Sequence, residues 1–175
     1  MSFIKLENVS FSYRDKSKPA IKQVSLGFAK MEKVAITGLN GSGKSTLVKI
    51  MVRLLKPQAG QVKIAGKAIN ELTLADIGKR LGYVFQHPTQ MFFNTTVFEE
   101  VAFGLRWKGM PDQQVMDQTR NLLKGFNLWQ LRNASPYSLS AGQRQLLAIS
   151  SILALKPDYL ILDEPTKYID AQFKV

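Results

Sequence analysis

Cysteine is absent from the 175 residues. Its absence excludes disulfides and thiolate metal sites and fits a reducing compartment. No run of about 18 apolar residues occurs, so no segment reads as a membrane-spanning helix. The opening residues, "MSFIKLENVS", lack the charged-then-apolar profile of a signal peptide. Internal repeats and low-complexity tracts are missing too, as are coiled-coil heptads and any long basic arm. Acidic residues are scarce, 13 against 24 basic ones, for a net charge of +11. The imbalance is local: residues 1–87 carry 15 Lys/Arg and 5 Asp/Glu, whereas residues 88–175 carry 9 and 8. A basic half suits nucleic acid, an anionic membrane surface or a phosphorylated ligand, and equally a plain solvated surface. What remains is a chain that is 45% hydrophobic, long enough for one domain with a real core.

Apolar periodicity divides the chain into alternating elements. Residues 3–9, 24–28, 33–37, 61–65, 81–85 and 158–162 read as strands. Residues 44–55, 95–107, 112–128 and 142–155 read as helices, the first stopped by Pro57. The run "DYLIL" is apolar on both faces, as a strand buried in a parallel sheet is. Alternating strands and helices predict an α/β fold with a mostly parallel sheet.

The most specific motif is "GLNGSGKS", residues 38–45, which fits G-x-x-x-x-G-K-[ST]. Its glycines let successive backbone N–H groups converge on a concavity that side chains would obstruct. The helix that follows adds the unpaired N–H groups and positive dipole end of its N-terminus. Lys44 then reaches the β- and γ-phosphates of a nucleotide, and Ser45 can ligate Mg²⁺. A second motif, "YLILDEPT", sets Asp163 and Glu164 at the end of an apolar strand, where open parallel sheets bind ligands. Asp163 suits Mg²⁺ held through its water shell. Glu164, one residue on, is placed to polarise a water for in-line attack on a γ-phosphate. A third, "YSLSAGQRQLLAIS", has Ser140 as a helix cap and Gly142 leaving backbone open at the helix start, a second anion site. One γ-phosphate does not need two helix N-termini from one subunit, so this one is expected to serve a partner's nucleotide.

The order of phosphate loop, Gln86, "LSAGQ" and "LILDEP" resembles the nucleotide-binding domain of the ATP-binding cassette (ABC) family over essentially the whole chain. The resemblance implies a P-loop NTPase core with a mostly parallel sheet, an antiparallel β edge and an inserted α-helical subdomain. Residues 1–87 and 152–175 would form the ATP-binding core and 88–151 the helical signature subdomain. It implies MgATP as cofactor and a sandwich dimer with a second ABC ATPase subunit or domain. ATP would be held by Tyr13, which stacks on adenine, and by Gly38, Asn40, Gly41, Ser42, Gly43, Lys44, Ser45 and Thr46. Ser45, Gln86 and Asp163 would serve the metal; Glu164, Gln86 and Lys44 would be catalytic. Ser140, Ala141, Gly142 and Gln143 would close the partner's site in trans, and Asp170 would be the D-loop aspartate at the dimer seam.

Residues 85–105, "FQHPTQMFFNTTVFEEVAFGL", are similar to the segment found in ATPases of energy-coupling-factor and cobalt-type importers. That likeness implies a transmembrane transporter partner met near Gln90, Met91, Phe92 and Phe93, peripheral residence on the cytoplasmic face of the membrane, and a vitamin or metal ion as cargo. No nucleic acid is expected, although the basic half keeps a soluble ABC ATPase acting on ribosomes or DNA as the alternative. Three residues depart from the family pattern: Ala141 and Met31 where glycine is usual, and Leu146 where arginine is common. The family also continues to a switch histidine beyond the D-loop. The only histidine here, His87, does not match it. The expectation is therefore a C-terminally truncated chain with weak turnover by itself.

Overall fold

A computed structural model describes residues 2–14 and 18–164. The chain divides into two compact units, Met1–Leu81 and Gly82–Val175.

The first unit is built on an antiparallel sheet of order β2-β1-β3-β4, with β1 Ser2–Phe11, β2 Ile21–Ala29, β3 Ala59–Ile64 and β4 Lys67–Ala68. Strand β1 is central. Its Ile4 faces Phe28 on one side and Ile64 on the other, and its Leu6 faces Val62. These five side chains are buried, so β-branched and aromatic cross-strand pairs form the apolar face of this sheet. On the strand, Glu7 pairs with Lys5 at 2.7 Å and Lys63 at 3.1 Å. Hydrogen bonding to these two ammonium groups holds its carboxyl down at about 2.

Helix α1, Lys44–Met51, buries Thr46, Leu47, Val48, Ile50 and Met51. It stops earlier than its apolar spacing predicts. Val52 caps it and Arg53 turns left-handed at φ 60, leaving Leu54 exposed. The spacing continued to Leu55, but the chain had already turned away. Helix α2, Leu74–Arg80, is an element beyond those the apolar periodicity predicts. It begins with a reciprocal cap, in which Thr73 Oγ1 accepts from the Asp76 amide and Asp76 accepts from the Thr73 amide. "TLAD" carries that signal, with Asp in the place of the more usual Glu.

Residues 33–37 do not form the expected strand. The stretch 32–39 is irregular and exposed, with Val34 and Ile36 open to solvent. β-propensity describes a side chain that fits a pleated surface, and a strand exists only through ladder partners. Among the described residues this run pairs with no strand.

The second unit pairs β5, Leu81–Val84, with β6, Tyr159–Leu162. With them are three helices: α3 Val97–Trp107, α4 Asp112–Gly125 and α5 Ala141–Ala154. Helix α3 packs on both α5 and α4. Val97, Val101 and Leu105 recur every four residues along it and are fully buried, meeting Val115, Leu123 and Leu147 in one core. The cap of α3 is Thr96, whose hydroxyl accepts from the Glu99 amide.

Candidate nucleotide site

The loop before α1 is shaped by two glycines. Gly41 and Gly43 have φ of 80° and 95°, the left-handed region that other residues enter at a cost. A Cβ on Gly43 would also stand 2.5 Å from the Ala20 carbonyl oxygen, so backbone there leaves no room for a side chain. The Ser42 amide donates to the Leu39 carbonyl at 3.1 Å and folds the loop back on itself. Lys44 then reaches across: its Nζ donates to the carbonyls of Gly38 at 2.8 Å and Leu39 at 3.0 Å. The result is an exposed glycine loop at a helix N-terminus with an ammonium group over it, an arrangement that attracts phosphate oxygens. Asn40 lies on its exposed turn and Ser45 on the first turn of α1. Tyr13 belongs to the same unit. Its hydroxyl shares a 3.2 Å hydrogen bond with Thr46 Oγ1, and its ring stands edge-on to Phe11 at 5.0 Å. Thus the residue expected at adenine is tied to the helix that carries Lys44 and Ser45.

In the second unit the ends of β5 and β6 bring four side chains together in two pairs. Tyr83 Oη donates to Asp163 Oδ2 at 3.2 Å, and Gln86 Nε2 donates to Glu164 Oε2 at 2.6 Å. The Asp163 amide donates to the Val84 carbonyl at 3.1 Å, which fixes the register that makes both pairs possible. Asp163 and Tyr83 are both buried. Burial, and then the Asp163 charge, push the Tyr83 phenol above its ordinary value. Glu164 occupies left-handed backbone, φ 50, which costs a residue with a side chain about 1–2 kcal/mol. Such strain gathers at working sites. The oxygen donors at this end of the second unit are the Asp163 carboxylate and the Gln86 amide oxygen. No cluster of three or more His, Cys, Asp or Glu occurs among the described residues. A few oxygen donors without a full protein cage suit Mg²⁺, which keeps waters and takes phosphate oxygens.

Residues 21–167 match the family model described as ABC transporter. The chain belongs to that family. It is 41% identical over 170 residues to the energy-coupling factor transporter ATP-binding protein EcfA1 of Enterococcus faecalis, covering 97% of this chain and 61% of that one. The same protein of Listeria monocytogenes is 41% identical over 169 residues, again across 97% of this chain and 61% of its own length. The chain thus spans 61% of the length of these curated relatives. Among solved structures, cbiO1 from Clostridium perfringens, described as part of the ABC transporter complex cbiONQ, superposes with a TM-score of 0.82. It shares 32% identity over 97% of this chain and 68% of its own. A dimeric ATP-binding cassette in a post-hydrolysis state, bound to ADP and Pi, superposes at 0.87 with 32% identity, across 97% of this chain and 77% of its own. The fold is therefore the α/β P-loop fold of ABC ATPases.

In this ABC chain helix α5, at whose start the signature is expected, begins with a closed capping box. Ser140 Oγ accepts from the Gln143 amide at 3.2 Å, and Gln143 Oε1 accepts from the Ser140 amide at 2.9 Å. Ser140 and Ala141 are exposed at that helix start and Gly142 partly so. Met31, where the family usually has glycine, sits at φ 63 and is almost fully exposed, so the turn asks for glycine here as well. Asp170 lies outside the described residues. Of the aromatic pair expected near a membrane partner, Phe92 is in the core and Phe93 is exposed, edge-on to Phe103 at 4.7 Å. Gln90 is exposed and Met91 partly buried.

Two residues escaped sequence reasoning, Tyr83 at the site and Glu100 in helix α3. Tyr83 could have been flagged only by knowing which strand lies beside β6. Glu100 had a signal: it sits three residues after Val97 on the apolar stripe of α3, where a carboxylate needs a reason. Its Oε2 accepts from the amides of Phe93 at 3.2 Å and Asn94 at 2.9 Å and from Asn94 Nδ2 at 3.2 Å.

Proposed function

We propose that this chain is the ATP-binding and ATP-hydrolysing part of an ABC importer subunit of the energy-coupling-factor kind. MgATP binding and hydrolysis in a sandwich dimer would drive transport of a vitamin or metal ion through a transmembrane partner. The observation that carries the reading is the glycine loop of residues 38–43, with Lys44 Nζ held across it by two loop carbonyls. The relatives named EcfA1 and cbiO1 support the importer assignment. In this reading residues 1–87 and 152–175 make the ATP-binding core and 88–151 the signature subdomain.

The loop amides and Lys44 would hold the β- and γ-phosphates, and Tyr13 would stack on adenine. Asp163 and Gln86 would hold a bound Mg²⁺, with Ser45 expected to join them by the family resemblance, and the ion would neutralise charge on the phosphate oxygens. Glu164 accepts hydrogen bonding from the attacking water, after giving up the amide of Gln86. Ser140 and Gly142 of a second ABC subunit, and their counterparts here, close each site across the dimer. The exposed Phe93–Phe103 pair is the surface offered to the membrane partner, and the chain would work peripherally on the cytoplasmic face.

The test is turnover in the assembled protein. A positioned general base contributes about 10²- to 10⁴-fold, so Glu164→Gln is expected to lose ATP hydrolysis on that scale while nucleotide binding persists. Unchanged turnover in the variant would overturn the assignment of Glu164.

A further inference from the structure

We propose that Tyr83 is a positioning residue for Asp163, holding the carboxylate in the orientation that meets the metal; this rests on the reading of Asp163 as a Mg²⁺ donor. Three observations fix the hydroxyl. The Asp163 amide is locked to the Val84 carbonyl, so the carboxylate leaves the backbone at a defined point. Tyr83 Oη donates to Asp163 Oδ2 at 3.2 Å, a contact across 80 residues of sequence with both side chains buried. The phenol ring is in turn held by Phe85, with centroids 4.7 Å apart and planes at 55°. A buried carboxylate with one oxygen held in this way keeps one rotamer, and a preset ligand loses less freedom when the metal arrives.

The choice of donor matters. A lysine or arginine in this place would orient Asp163 and also neutralise it, weakening its attraction for a cation. The neutral phenol, which ordinarily ionises near 10, orients the carboxylate without itself neutralising it. This is how outer partners of metal ligands commonly act, and their loss typically costs about 10- to 100-fold in metal affinity at strong sites. The 3.2 Å separation is long for an O–H donor, so a smaller effect is expected here.

The experiment is a Mn²⁺ titration followed by electron paramagnetic resonance, on the chain loaded with ATP, comparing wild type with Tyr83→Phe. The variant keeps the ring and removes only the hydroxyl. The Mn²⁺ dissociation constant should rise about 3- to 10-fold, the scale of one net hydrogen bond, while ATP affinity measured in EDTA stays unchanged. Wild-type chain that binds ATP without taking up Mn²⁺ would overturn both the metal reading and the role of Tyr83. Wild-type uptake with unchanged Mn²⁺ affinity in Tyr83→Phe overturns the role of Tyr83 alone, even if the variant melts earlier, because that pattern is packing only. Should the variant not fold, ring-labelled tyrosine in the wild-type chain gives a second readout by NMR. Addition of Mg²⁺ to the ATP complex should shift the Tyr83 ring resonance, and an unmoved resonance overturns the proposal.

Discussion

Replacing Glu100 by alanine should loosen the segment that follows Gln86 before it unfolds anything else. One carboxylate oxygen, on a side chain that is 6% exposed, accepts from the backbone amides of Phe93 and Asn94 and from the Asn94 side chain. Hydrogen bonds to charged acceptors contribute about 1.5–3 kcal/mol each in net terms. The three here share one oxygen and their donors are only partly buried, so they do not add in full and water can recover some of the loss. We expect Glu100→Ala to cost about 2–4 kcal/mol. Glu100→Gln, which retains a carbonyl oxygen for the two amides, should cost about 1 kcal/mol. Denaturant unfolding measures the total, and residue-resolved amide hydrogen exchange locates it. The Phe93 and Asn94 amides should exchange faster in Glu100→Ala under native conditions, ahead of the amides of Val101 and Leu105 in the core of α3. A stability loss in Glu100→Ala no larger than in Glu100→Gln, or unchanged exchange at 93 and 94, would refute the argument that this carboxylate holds the segment.

Two further substitutions separate the roles of neighbouring or unusual residues. Met31→Gly removes a left-handed strain worth about 1 kcal/mol and opposes it with the backbone entropy of glycine, so a small gain in melting temperature is expected and a clear loss would contradict the strain. Phe92→Glu should destabilise the isolated chain because Phe92 lies in the core, whereas Phe93→Glu should leave its stability near wild type and impair assembly with a membrane partner. Normal assembly of a stable Phe93→Glu protein would remove Phe93 from the docking surface.

The parts of this protein that were legible in its sequence are those set by local rules. The glycine loop ending at Lys44 is one. Its backbone needs left-handed residues at Gly41 and Gly43, and only the sequence spacing decides where they fall. The Ser140 cap of α5 is another, since its hydroxyl accepts from the Gln143 amide only three residues on. What stayed hidden depends on distant partners. Residues 33–37 have strand-like composition, but composition does not supply the neighbours a ladder needs. The end of α1 was missed for a related reason, since Leu54 keeps helical spacing after Arg53 has left the helix. Tyr83 with Asp163, and Gln86 with Glu164, meet across 80 and 78 residues, and no spacing rule reaches that far. Helix α2 differs, because its Thr73–Asp76 cap is a local signal carried in the sequence itself.

The most direct test of the central claim is ATP affinity, measured by titration with a fluorescent ATP analogue in wild type and in Lys44→Ala. The ammonium of Lys44 now rests on the Gly38 and Leu39 carbonyls and is the group placed to take the phosphates instead. Losing one charge-assisted contact of about 1.5–3 kcal/mol should weaken binding roughly 10- to 100-fold, with the fold intact because Lys44 makes no contribution to the buried core. Equal affinity in the two proteins would contradict the account, since the glycine loop would then not be where the nucleotide binds.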